Sequence, residues 1–600
     1  MKTRMRTHTC GNLRLQNDKE KVSVCGWVQS RRDHGGIIFI DLRDRHGLTQ
    51  VVFDPSNNDQ AHKEAEHIGR EWVLKVDGTV RPRGEGLVNP RLPTGEVEVV
   101  VDKLEVLNKS DTPPMEIDDN KVANEDFRLK YRYLDLRRPI MQKHLETRHK
   151  VAQAARSFFN EQGFLEIETP LLIRSTPEGA RDYMVPSRVN PGQMYSLPQS
   201  PQLYKQILMV SGCDRYYQIA RCLRDEDLRT DRQPEFTQID VEMSFVEEED
   251  IYEILDGMVV NVFKEAIGVN ITIPIPRMTF HESMERYGCD KPDLRFGLEL
   301  VDVSEIVKKG DFGVFKTVIE NGGIVKCINP NKNFSRKELD EYIVLATKSG
   351  AKGMAWMKVA DGKLESNIAK FFKEDLQKEI IKKTGAKDDT ILFFVADRPK
   401  VCNNVLARLR NKLGEDLKLY DPSEFRFVWI VDFPLFEYDD DIEAWMPAHH
   451  MFTMPKKECL KFLDKEPGKV VAHCYDLVLN GVELGSGSIR VHRKDIQEKV
   501  MKSMGITEAE ALQKFGFLLE AFRYGAPPHG GFAFGVDRLV ALMCGFNDIR
   551  EVMAFPKNKN AQCPMDGCPS QIDDKALKDV HLKWDIVKPE KKGNLDNRME

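Results

Sequence analysis

"RCLRDEDLRTDRQPEFTQID", residues 221–240, decides how this chain is read. Arg, Asp and Glu are interleaved through it as on a solvated helix, but Pro234 and the β-favouring close "FTQID" break any continuous helix. The pattern is a strand ending near Arg224, a loop crowded with arginines, and a second strand. A strand end that presents Arg224 and, two residues on, Glu226 can grip a nucleotide while the loop faces a second anion. Taken alone, an R-x-E pair reads first as surface ion pairing.

A second stretch, "GGFAFGVDRL" (530–539), sets Arg538 beside another strand-like run. Two guanidiniums in one cleft suit a polyphosphate, because their rigid forks match its oxygens bidentately. Phe236 can stack on one face of a purine with an Arg plane on the other, and Glu226 can accept from an exocyclic amine. "GGFAFG" lacks the spacing of a Rossmann or P-loop fingerprint. In "YDLVLNGVELGSGSIR" (475–490), Asp476 and Glu483 stand seven apart, on opposite faces of a flat strand. A hairpin at Asn480-Gly481 would let both acids approach one hard cation such as Mg²⁺, with Arg490 in the same sheet. A polar hairpin edge has the same signature.

The totals set the frame. Six hundred residues exceed one core and predict about four domains. A chain 41% hydrophobic and 31% charged fits a soluble globular protein. No window approaches a membrane span, and "MKTRMRTHTCGNLRL" has no signal-peptide core, so a cytoplasmic protein is expected. A net charge of −6 gives no global pull on nucleic acid, so any such binding needs local basic patches. The twelve cysteines show no repeating spacing and are expected as reduced, buried thiols. Cys563 and Cys568, in "CPMDGC", look like half of a zinc site with no second pair nearby.

Residues 10 to about 107 read as five short strands, from "KVSVCGWVQS" to "EVEVVVDKLEVL", which predicts a small closed barrel of the oligonucleotide-binding kind over 1–107. Arg31 and Arg32 beside Phe39 suit single-stranded bases, although a core Phe flanked by surface arginines would look the same. "SDTPPMEIDDN" marks a linker within 108–140. Val151, Ala154, Ala155, Phe158 and Phe159 share a helical face that Gly163 ends, and "FLEIETP" alternates as a half-buried strand ended by Pro170. Lys-rich helical runs between "MAWMKVA" and "DTILFFVAD" predict an α+β insertion at 296–424. It interrupts an α+β catalytic domain with an antiparallel sheet at 141–295 and 425–560, and 561–600 forms an extension.

These stretches carry a resemblance. "GFLEIETPLL", "RDEDLRTDRQPEFTQIDVEMSF" and "GGFAFGVDRL" resemble motifs 1, 2 and 3 of the class II aminoacyl-tRNA synthetases. "STPEGARDY", "LPQSPQLYKQ", "KPDLRFG", "AHHMFT" and "NGVELGSGSIR" are similar to blocks of the bacterial aspartyl enzymes, and the insertion resembles their extra GAD-type domain. The likeness covers nearly the whole chain. It implies a homodimer through motif 1 and ATP-dependent attachment of L-aspartate to tRNA-Asp through an aspartyl-adenylate. Arg224 would hold the α-phosphate and Glu226 the adenine, between Phe236 and Arg538. Asp225, Gln233, Gly535, Val536 and Asp537 would complete the ATP pocket, and Asp476 and Glu483 would bind Mg²⁺. Arg490 and Lys205 would take the aspartate side chain, Glu178, Gln202 and Asp240 its ammonium, and His449 would close over it.

In the barrel, the resemblance implies that Phe39 stacks on the middle anticodon base, with Arg32, Gln50 and Glu98 in polar contact. Enzymes restricted to tRNA-Asp resemble one another in carrying Leu where this chain has His34 and Lys where it has Gly86. His34 and Gly86 look like the non-discriminating subtype, which also charges tRNA-Asn. Asparaginyl and lysyl synthetases, and an inactive tRNA-binding paralogue, are the rival readings.

Overall fold

A computed structural model describes residues 2–176 and 179–585. Two compact units emerge, one made of residues up to Glu146 plus Arg550–Ser570, the other of Thr147–Ile549 plus the residues after Ser570. Among the described residues, no helix is long and apolar enough to cross a membrane.

In the first unit, Lys21–His34, Ile37–Asp44, Gly47–Phe53, Val73–Pro82 and Val97–Asn108 close into a five-stranded barrel. Their period-two pattern fills the interior: Val22, Val24, Ile38, Ile40, Val51, Val76 and Val99 are all buried. The third and fifth strands pair in parallel and the other pairs are antiparallel. "SDTPPMEIDDN" forms no helix or strand, but it is not a free linker. Met115 and Ile117 are buried in a cluster with Leu134.

The second unit is organised by an eight-stranded sheet. Its order is Arg277–Thr279, Phe427–Val431, Cys474–Leu479, Val482–Ile489, His529–Gly535, Glu235–Ser244, Arg215–Leu223 and Leu165–Glu166. The inner six strands are antiparallel, and each edge strand joins in parallel. Alternation gives the sheet two unlike faces. Trp429, Tyr475 and Phe532 pack together, with Tyr252 of the helix Glu248–Ile267 set 5.0 Å from Trp429 and 5.3 Å from Tyr475 between ring centroids. On the other face, Asp476, Gln238 and Asp240 present polar groups.

The chain leaves this sheet between Thr279 and Phe427 to build a second, five-stranded sheet. Its order is Leu300–Asp302, Ile324–Ile328, Thr390–Asp397, Ala355–Ala360 and Lys363–Glu365. The helices Arg336–Lys348 and Pro399–Asp416 contribute to its core.

One local expectation fails. "FLEIETP" yields a strand of only two residues, Leu165–Glu166, and it is not half-buried: Leu165 is 57% exposed, with Leu171 and Leu172 each 52% exposed. The helix before it, Pro139–Glu161, buries Val151, Ala154, Ala155 and Phe159 and leaves Phe158 half-buried. Gly163 follows in the left-handed region.

Candidate active site

The polar face of the eight-stranded sheet floors a cleft of about 750 Å³. At its deepest point two cations meet two acids. Lys205, from the helix Gln202–Val210, places Nζ 2.7 Å from Asp240 and 3.3 Å from Glu242. Arg490 donates from Nε to Glu242 Oε1 at 3.0 Å, from Nη2 to Oε2 at 3.2 Å, and from Nη1 to Ser488 Oγ at 2.8 Å. All four charged side chains are 5% exposed or less.

Burial drives the Glu242 carboxyl upward, but Arg490 and Lys205 outweigh it and hold the group below the usual range. For Asp240, burial wins over Lys205 and the carboxyl is raised. Among the described residues its Oδ2 has no hydrogen-bond partner, nor has Nε2 of Gln202, which also lines the cleft. His450 is pushed down to about 3, first by burial and then by Arg490 and Lys205. Its Nδ1 accepts from the Phe452 N–H at 3.2 Å, so the neutral ring carries its proton on Nε2.

Glu242 escaped the sequence reading, although its signal was present. Phe236, Gln238 and Asp240 alternate along one strand towards the cleft, and Glu242 continues the same period. Glu242 pairs in register with Gly531, where a Cβ would overlap Glu242 Oε2. The glycine in "GGFAFG" therefore makes room for a carboxylate rather than for a phosphate.

At the mouth the charges are less buried. The Arg224 guanidinium lies 5.1 Å from the centroid of the Phe236 ring, and Nε donates to the Gln199 carbonyl at 3.3 Å. Glu226 pairs with Arg232 at 3.0 Å. Arg538 donates to the Glu483 carbonyl and to Asp231, both at 3.1 Å. Gln233 and Gly535 also line the mouth.

Three residues expected in the ATP pocket behave differently. Asp225 and Val536 do not line the cleft: Asp225 bridges to Arg181 through its backbone, and Val536 is buried in the core. Asp537 reaches the wall, but its carboxylate accepts from Arg148 at 2.6 Å and from the Thr237 N–H at 2.8 Å, so it ties helix Val536–Met543 to the neighbouring strand. Glu178 lies outside the described residues.

The hairpin at Asn480-Gly481 forms with both residues at positive φ, 52° and 82°, which glycine and asparagine accept readily. The turn brings the two acids to one face: across the two-residue loop Leu479 pairs with Val482 and Val478 with Glu483, and Val478 shares its face with Asp476. Beyond Glu483 a bulge at Leu484 inserts one extra residue, so Asp476 pairs with Ser486. Asp476 is buried and its Oδ1 has no hydrogen-bond partner among the described residues; burial and then Glu483 raise its carboxyl well above the usual range. Two oxygen acids, one of them unsatisfied, suit a hard divalent cation. His449 sits 4.0 Å from Asp476 at the rim with its ring half-buried; burial opposes its charge, but Cys474, Glu483 and Asp290 raise it to about 9.

On the barrel, Arg32 and Phe39 are cross-strand partners. Arg32 donates to Asp41 at 3.0 Å and to Gln50 at 3.3 Å, and Gln50 donates to Glu98 at 2.8 Å. Arg81 closes the chain onto Glu98 at 2.8 Å. Phe39 is half-buried rather than presented freely, and Asp41 and Arg81 were not anticipated. His34 is exposed at its strand end, and Gly86 has open space where a Cβ would stand.

The chain thus combines an antiparallel sheet bearing a buried cation–acid floor and an arginine-rich mouth with a five-stranded barrel. The family described as tRNA synthetases class II (D, K and N) matches residues 124–559, and the OB-fold nucleic acid binding domain matches residues 22–107. This chain belongs to the class II tRNA synthetases, which are ligases. It is 52% identical to an aspartate–tRNA(Asp/Asn) ligase of Caldanaerobacter subterraneus subsp. tengcongensis, across 97% of this chain and 98% of that one. It is also 52% identical to an aspartate–tRNA ligase of Ruminiclostridium cellulolyticum, across 96% and 98%. In fold it is similar to an asparaginyl-tRNA synthetase of Pyrococcus horikoshii at TM-score 0.57 and 20% identity, covering 92% of this chain and 97% of that one.

Proposed function

We propose that this protein attaches L-aspartate to tRNA-Asp, and also to tRNA-Asn, by way of an aspartyl-adenylate formed from ATP. The observation that carries the reading is the floor of the cleft, where Lys205 and Arg490 are buried together and held by Asp240 and Glu242. Two fixed cations facing the cleft fit an amino acid with a second carboxylate. The unpartnered Asp240 Oδ2 fits its ammonium, with Gln202 beside it. An asparagine amide would present an NH₂ donor to these cationic donors in place of a carboxylate, a loss of roughly 3 kcal/mol or over a hundredfold. His449 closes over the substrate from the rim.

The α-carboxylate of aspartate is ionised at neutral pH and attacks the α-phosphorus without a general base. Arg224 steadies the α-phosphate oxygens, with Phe236 and Arg538 on either side of the adenine and Glu226 and Gln233 at its edge. Asp476 and Glu483 would hold Mg²⁺, which when bound neutralises charge on the phosphates. Pyrophosphate leaves, and the terminal ribose hydroxyl of tRNA then takes the aspartyl group, releasing AMP.

The Arg32–Gln50–Glu98 chain beside Phe39 supports anticodon binding on the barrel. The exposed His34 and the open space at Gly86 support tolerance of a second anticodon. The uncovered Leu165, Leu171 and Leu172 support a homodimer built on motif 1. Arg148–Asp537 belongs to the framework of the ATP site. The cell compartment we assign is the cytoplasm.

Aspartate-dependent exchange of labelled pyrophosphate into ATP, with asparagine and lysine as controls, tests the reading. Activity with aspartate alone is expected; activity with asparagine or lysine, or none at all, would overturn it. Unmodified tRNA-Asn should accept aspartate at enzyme concentrations that saturate tRNA-Asp, and failure there removes the dual specificity alone.

A further inference from the structure

The stretch "CPMDGC", 563–568, serves no step above, yet it folds into a defined turn. The Cys563 N–H donates to the Cys568 carbonyl and the Gly567 N–H to the Cys563 carbonyl, both at 2.8 Å. The turn brings the two sulfurs and a carboxylate oxygen of Asp566 within 4.8 Å of one another. Cys563 is buried, Cys568 half-buried and Asp566 exposed, so the cluster opens to solvent on one side. In sequence the cysteine pair had no companions. Asp566 is a third donor that the spacing of cysteines did not show.

The donor set and its geometry mark a metal site. Asp566 adds an oxygen donor to the two sulfurs within the same turn, and its carboxylate accepts from the Cys568 N–H at 2.9 Å, which fixes it beside them. A dication that displaces both thiol protons gains three contacts from one short turn. Two sulfurs exclude hard Mg²⁺ or Ca²⁺ and favour Zn²⁺. With Zn–S near about 2.3 Å and Zn–O near about 2.1 Å, tetrahedral ligands lie roughly 3.5 Å apart, a closure of about 1 Å within a short turn.

We propose that Cys563, Asp566 and Cys568 bind one Zn²⁺, with water in the fourth position, and so fix the 563–568 turn. This site is independent of the aminoacylation reading. Another cluster, His449, Cys474 and Asp476, belongs to the cleft, so the test removes its thiol.

Cobalt(II) titrated into the reduced full-length chain carrying Cys474→Ala should produce a thiolate-to-metal absorption band that saturates at one ion per chain. Zn²⁺ should erase the band, and a chelator should return two thiols to a disulfide reagent. Adding Cys563→Ser and Cys568→Ser should abolish the band, and Asp566→Asn should weaken binding by about tenfold or more. The proposal is overturned if no band forms, if the band survives the double serine change, or if Asp566→Asn binds as tightly as the parent. Peptide mapping that finds a Cys563–Cys568 disulfide and no metal in the isolated chain also overturns it.

Discussion

The floor and the mouth of the cleft use the same residue types in opposite ways. At the floor, Lys205 and Arg490 are 5% exposed or less and pair with Asp240 and Glu242, themselves 1% exposed or less. At the mouth, Arg538 is 26% exposed and pairs with Asp231, 44% exposed, while Glu226 and Arg232 are 31% and 44% exposed. A buried ion pair is costly to assemble and costlier to break, whereas an exposed one is screened and can exchange partners. The difference suits the two ligands. On the proposed reading, a small acidic amino acid would be selected by a preset arrangement, and a flexible triphosphate would be gathered by arms that can swing from their resting acids.

The contrast is broken most directly by Arg490→Leu. It leaves Glu242 with Lys205 alone in a dry site, a cost of roughly 3–5 kcal/mol. Aspartate-dependent pyrophosphate exchange should fall by at least a hundredfold, while the thermal midpoint reports how much of the loss is folding. Gly531→Ala attacks the same floor without touching a charge. The new methyl would overlap Glu242 Oε2 and the Val241 carbonyl oxygen, so it strains the strand pairing as well as the floor. The thermal midpoint should fall, and in the folded fraction the KM for aspartate should rise about ten- to a hundredfold, more than the KM for ATP. Equal rises in both would mean that the floor and mouth are not separate. Arg538→Ala sharpens the comparison from the other side: an ATP KM raised about tenfold is expected, with the aspartate KM nearly unchanged. The smallest effect belongs to the barrel. Phe39→Ala should cost about 1–3 kcal/mol in tRNA binding and leave pyrophosphate exchange intact. A variant that slows exchange would contradict an anticodon role.

How much of this was legible in the sequence follows from how local each feature is. The five barrel strands are legible because each is a short Val- and Ile-rich run between turn residues. Asn480-Gly481 announces its hairpin for the same reason. That turn also places Glu483, through its pairing with Val478; the bulge at Leu484 is not legible, since it exists only as a mismatch of register between two strands, and it sets Ser486 opposite Asp476. Glu242 obeys a visible period, but its importance depends on Arg490, 248 residues away, and on a glycine from a third strand. "FLEIETP" shows the reverse failure: its alternation is real, but nothing among the described residues covers Leu165. Asp566 was passed over because a carboxylate between two cysteines looks like any turn residue until the turn is folded.

The central claim is that the buried Lys205–Arg490 pair reads a second carboxylate. Exchange of labelled pyrophosphate with aspartate and asparagine side by side, as the ratio of kcat/KM, measures it most directly. The account predicts a ratio of at least about a hundred in favour of aspartate, collapsing in Glu242→Gln. A ratio near one in the unaltered protein, or one that Glu242→Gln leaves untouched, would contradict it.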